Sequence, residues 1–76
     1  MKIVFKNSKS RTIALDVQGS TKISEIKIMI KNEIQSDKKI RLLYSGDVMN
    51  DDDVLDDYGV DPLDSIVYTE EYEAGI

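Results

Sequence analysis

Residues 23–34 read Ile-Ser-Glu-Ile-Lys-Ile-Met-Ile-Lys-Asn-Glu-Ile, and this stretch decides the fold because its period differs from everything around it. At 100° per residue, Ile23, Ile26, Ile30 and Ile34 fall within a stripe of about 80°, with Met29 at its flank. That pattern predicts one amphipathic helix with a single apolar face. Ile28 points nearly opposite the stripe. Lys27 sits at its border, where the aliphatic stem can be buried if the ammonium meets a carboxylate.

Upstream the period is two. Met1, Ile3 and Phe5 alternate with Lys2, Val4 and Lys6, and after a run of turn formers Ile13, Leu15 and Val17 alternate with Thr12, Ala14 and Asp16. This is a β-hairpin. Gly19-Ser20-Thr21 breaks the second strand and offers hydroxyls to cap the helix, with Glu25 in its first turn. Downstream, Ile40 to Tyr44 has strand propensity, Ser45-Gly46 makes a turn, and Asp47-Val48-Met49 adds a very short edge strand. Val54-Leu55 and Tyr58-Gly59-Val60 are apolar anchors among aspartates, as in a loop with one short helical turn. Ser65 to Thr69 is the last strand, with Ile66 and Tyr68 facing one way and Val67 and Thr69 the other. The order β-β-α-β-(β)-β predicts an α+β domain in which one helix packs across one face of a mixed sheet, leaving the other face open.

Composition narrows the function. Seventy-six residues make one small domain with little room for a large ligand cavity. Neither cysteine nor histidine is present, which removes the disulfide framework, the thiolate nucleophile, the zinc–sulfur site and the commonest general base. The net charge of -5 argues against nucleic acid as a partner. Its distribution is uneven: all ten cations and four anions precede Ser45, and eleven anions with no cation follow. No apolar run is long enough to span a membrane, and the start is too short and polar for a signal peptide, so the expected compartment is cytoplasmic or nuclear.

Other chemistry is not supported. The aspartates at 47–64 invite a calcium reading, but a loop begun at Asp47 or Asp51 fails at its third or fifth ligand position and lacks glycine at the sixth. Ser24-x-x-Lys27 and Ser36-x-x-Lys39 are short serine–lysine strings with no accompanying oxyanion motif. The glycines at 19, 46, 59 and 75 form no phosphate-binding fingerprint. The sequence therefore reads as non-catalytic, with no cofactor and no metal.

The quoted residues resemble the ubiquitin-like domains, which have the β-grasp fold. The resemblance runs from Met1 to about Thr69: M-x-I-x-x-K at 1–6, T-I-x-L-x-V at 12–17, I-x-x-I-K-x-x-I at 23–30, R-L-L-Y-S-G at 41–46, then Asp51, Leu55 and D-Y-G-V at 57–60. It implies a mixed sheet of four to five strands on one helix over residues 1–69; residues 70–76, where the chain departs from the family in carrying acids instead of arginines, read as an acidic flexible tail. It also implies that Lys27 pairs with Asp51, and that the Tyr58 hydroxyl closes a loop by bonding to backbone.

The resemblance further implies a partner-binding sheet face made of Leu43, Val67 and Thr69, bordered by Ser8, Arg41 and Gly46. Alternation alone reaches nearly the same place: with Leu42, Ile66 and Tyr68 turned toward the helix, Leu43 and Val67 must face outward, side by side if their strands are neighbours. Ser8 and Thr69 stand where close relatives carry larger aliphatic residues. A second surface could involve Val4, Thr12 and Ala14, and Ile28 is a further exposed lead. The expected partners are proteins, namely ubiquitin receptors, proteasome subunits or deubiquitinases, met by a monomer that is free-standing or part of a longer protein.

The alternative is a covalent modifier. Conjugated members need a flexible glycine end, because the carboxylate is adenylated and passed to a cysteine through a narrow channel. This chain ends Glu-Glu-Tyr-Glu-Ala-Gly-Ile at 70–76, without a diglycine; removal of Ile76 would expose Gly75 as the conjugation terminus. Lys6 and Lys27 occupy acceptor positions of the family. Arg11, Asp47 and Pro62 replace other acceptor lysines.

Overall fold

The first hairpin forms where the alternation places it: β1 (Lys2–Lys6) pairs antiparallel with β2 (Thr12–Asp16), Ile3 opposite Leu15 and Phe5 opposite Ile13. The computed structural model describes residues 1–9 and 11–71. The hairpin turn is held by Asn7, whose side-chain carbonyl accepts the backbone N–H groups of Lys9 and Arg11 at 3.0 and 2.8 Å. Met1 does not continue the inward set. Its ammonium donates to the Val17 carbonyl at 2.7 Å and to Asp16 at 3.1 Å, and its side chain stays exposed at the end of the sheet.

Beyond the helix α1 (Ile23–Ile34), the chain adds β3 (Lys39–Tyr44), β4 (Asp47–Val48), a 3₁₀ turn over Leu55–Tyr58 and β5 (Ser65–Glu71). The sheet order is β2-β1-β5-β3-β4, with β1 and β5 parallel and every other pair antiparallel. This is the β-grasp architecture: one helix across one face of a five-stranded mixed sheet. Ile3, Phe5, Ile23, Ile26, Ile30, Ile40, Leu42, Leu55, Ile66 and Tyr68 are buried between the layers. Ile34 lies in the predicted stripe but, as the last residue of the helix, is only partly buried.

Two further details differ from the sequence expectation. Hydroxyls of 19–21 do not cap the helix; the Thr21 hydroxyl instead accepts the Gln18 N–H at 3.0 Å, closing the preceding turn. The helix start is satisfied from across the molecule, where Ile23 N–H donates to the Asp53 carbonyl at 2.9 Å and Ser24 N–H to the Asp51 carbonyl at 3.2 Å. The acidic loop is thus the helix cap. Secondly, β5 runs past the predicted end at Thr69, because Glu70 and Glu71 still find register partners in Ile40 and Lys39.

The acidic loop is fixed at several points. Lys27 Nζ, whose side chain is 18% exposed, meets Asp51 Oδ1 at 2.5 Å, the pair expected beneath the helix. The Tyr58 hydroxyl accepts the Asn50 N–H at 2.8 Å and donates to Asp53 at 2.6 Å, which adds a carboxylate to the expected backbone bond. That donated bond raises the Tyr58 phenol pKa above its ordinary value. Gly19 has close contact with this loop: its carbonyl accepts the Asp56 N–H at 3.0 Å, and a Cβ there would overlap the Asp56 carboxylate.

Candidate outer sheet face

The open face is built by register. Leu43 lies directly opposite Val67 in the β3–β5 ladder and opposite Val48 in the β3–β4 ladder, while Val67 lies opposite Lys6, which lies opposite Thr12. Paired residues share a face, so one row crosses all five strands: Val48, Leu43, Val67, Lys6, Thr12. Its apolar part is accessible: Val48 is 50% and Val67 44% exposed, and Leu43 is half-buried between them. A lone exposed apolar residue is ordinary, whereas three contiguous ones on one rigid sheet form a patch.

Arg41 and Thr69 are opposite each other one step along the ladder from this row. Ser8 is exposed beyond the end of β1, where it lines a cavity of about 200 Å³ with Thr69 and Lys9. Thr69 is partly buried, and its hydroxyl oxygen has no hydrogen-bond partner among the described residues. Gly46 is at the other end, in the two-residue turn between β3 and β4, where Ser45 and Gly46 both have positive φ, at 52° and 83°. That is the turn geometry that matches strand twist, and it favours glycine at the second position. The sheet therefore joins Leu43, Val67, Thr69 and Arg41 directly and sets Ser8 and Gly46 at opposite borders.

Val48 is not among the residues to which the sequence points. The signal was present, since Met49 is buried and its neighbour must face outward, but a strand as short as Asp47–Val48 shows no alternation of its own. The suggested second surface is not separate: Val4 stands between Ser65 and Ala14 in the register, one step from the apolar row. Ile28, 59% exposed, is on the helix, away from this face.

The electrostatics also follow from alternation. Lys2, Lys6, Lys39 and Arg41 share the outer face with Asp16 and Glu71. Asp16 is engaged by the N-terminal ammonium, and Glu71 meets Arg41 at 2.7 Å. Acidic residues gather instead at the distal loops, where the Tyr44 hydroxyl donates to Asp64 at 2.6 Å; this bond raises the phenol pKa. An apolar strip edged by cations on an acidic chain is suited to binding a protein surface of opposite edge charge. Among the described residues no cluster of three or more acidic groups could hold a metal ion, and no helix is long and apolar enough to cross a membrane. Gly75, the terminus of the conjugation alternative, lies outside the described residues.

Comparison with known proteins agrees with this architecture. The chain is 31% identical over 67 residues to the UV excision repair protein RAD23 of Saccharomyces cerevisiae, a match covering 87% of this chain and 17% of that protein. It is 33% identical over 69 residues to the UV excision repair protein rhp23 of Schizosaccharomyces pombe, covering 88% of this chain and 19% of that one. The chain thus spans less than a fifth of the length of these curated relatives. The family model of the ubiquitin family matches residues 3–69, which takes in the helix and most or all of each strand, and the chain therefore belongs to the ubiquitin family.

Proposed function

We propose that this chain is a non-catalytic ubiquitin-like interaction domain that docks through its outer sheet face onto ubiquitin-receptor or proteasome-type proteins. The observation that carries the reading is the contiguous row Val48, Leu43, Val67, edged by Lys6 and Arg41. Apolar residues provide the centre of such an interface, and the cations and Thr69 provide its rim. The two repair proteins are far longer chains, which supports this fold acting as a module of a larger protein, and the excision repair in their names fits the nuclear side of the expected nuclear or cytoplasmic setting. One small sheet face offers limited area, so the expected interaction is weak and transient.

The test is affinity for a purified ubiquitin-receptor protein or proteasome subunit, measured for the wild type and for Leu43→Ala/Val67→Ala. The double variant should retain its fold by amide spectrum and lose most binding. Unchanged affinity with the fold intact would show that the face is misassigned.

A further inference from the structure

The rim of the outer face contains an ion pair whose acidic member, Glu71, the docking reading does not use. Arg41 is opposite Thr69, and Glu71 is opposite Lys39, so these four side chains leave the sheet on one face at neighbouring positions. The contact within the group is diagonal: Arg41 Nε meets Glu71 Oε1 at 2.7 Å, although Lys39 is directly across from Glu71. Long side chains reach diagonal neighbours on a sheet, and a planar guanidinium offers directed donors that an ammonium lacks. The pair is partly open to solvent, Arg41 being 49% and Glu71 33% exposed.

This geometry alters what a partner meets. The Nε edge of a guanidinium is one side of the fork that grips a carboxylate with two parallel bonds, and here Glu71 occupies it. An incoming carboxylate must displace Glu71 or accept a poorer approach. Resting on the docking reading above, we infer that Glu71 is a specificity-determining residue: it acts as an internal stand-in for a partner carboxylate and lowers the face's preference for acidic partners at the Arg41 corner. Specificity of this kind works by weakening the competitor rather than strengthening the favoured ligand.

Two measurements test it. The first uses the whole chain and two synthetic amphipathic helical peptides with the same apolar stripe, one flanked by glutamates and the other by the matching glutamines. Glu71→Gln should bind the glutamate peptide about two- to fivefold tighter than wild type, the range of an exposed ion pair, with the glutamine peptide unchanged. The gain should disappear in Glu71→Gln/Arg41→Gln and shrink as salt is raised. A gain that survives loss of Arg41, or no gain while both peptides still shift the Leu43 and Val67 amides, overturns the inference and leaves the docking reading standing. If neither peptide shifts those amides, the docking reading fails and takes the inference with it. The second measurement is the NMR signal of Arg41 Nε–H in the free chain. It should move when Glu71 becomes glutamine, and a stationary signal overturns the stand-in role whatever the peptides do.

Discussion

Val48→Ala is the substitution that separates a docking patch that extends onto β4 from one confined to β3 and β5. The change removes two methyl groups from a residue that is 50% exposed in the free domain. At about 0.8 kcal/mol per buried carbon, full transfer would be worth about 1.6 kcal/mol; with half the surface still available to be covered, docking should lose about 0.8 kcal/mol. That is about a fourfold rise in Kd. Val67, 44% exposed, should give a nearly equal loss, about threefold on the same basis. Because Val48 is already solvated, folding stability should change little. The assay is titration of the labelled chain with a purified ubiquitin-receptor protein, using Ile28→Ala on the helix as control. A Val48→Ala affinity equal to wild type, beside a weakened Val67→Ala, would refute the claim that β4 contributes to the surface.

The remaining predictions concern stability and maturation. Leu55 is fully buried beneath the loop whose Asp51 and Asp53 carbonyls cap the helix, so Leu55→Ala should cost about 2–5 kcal/mol in urea denaturation and speed hydrogen exchange at Ile23 and Ser24 beyond the helix centre. Uniform acceleration along the helix would contradict the capping role of the loop. Tyr58→Phe should destabilise at neutral pH by removing the bonds to Asn50 and Asp53. The neutral phenol donates to a carboxylate, so its folded pKa is raised; its contribution is complete below the unfolded value of about 10 and is lost as pH rises through the folded one. The difference between wild type and Tyr58→Phe should therefore narrow only in strong alkali, and narrowing below pH 8 would contradict this. Mass spectrometry of the protein from its own cells should show no isopeptide adducts ending at Gly75; their presence would favour the covalent modifier.

Much of the fold is legible because side-chain periods report directly on burial. The stripe Ile23, Ile26, Ile30 and the alternation of Ile3, Phe5, Ile66 and Tyr68 define the helix, the strands and the face each buries. The helix cap is not legible, since it is made of backbone carbonyls of Asp51 and Asp53, and any residue has a carbonyl. The continuation of β5 through Glu70 and Glu71 is hidden for a related reason: two acids after Thr69 read as solvent-exposed tail, whereas their strand conformation comes from pairing with Ile40 and Lys39. Leu43 and Val67 could be expected to face outward from alternation, but their adjacency depends on β3 and β5 being neighbours. Val48 and the Arg41–Glu71 pair required the exact register, which no single strand encodes.

In the proposed function the outer sheet face, rather than the helix, receives the partner. The most direct measurement is intermolecular methyl contacts by NMR in a complex with a purified ubiquitin-receptor protein. Contacts from Leu43, Val67 and Val48, with none from Ile28, are the expected result. Contacts from Ile28 with silent Leu43 and Val67 methyls would contradict it.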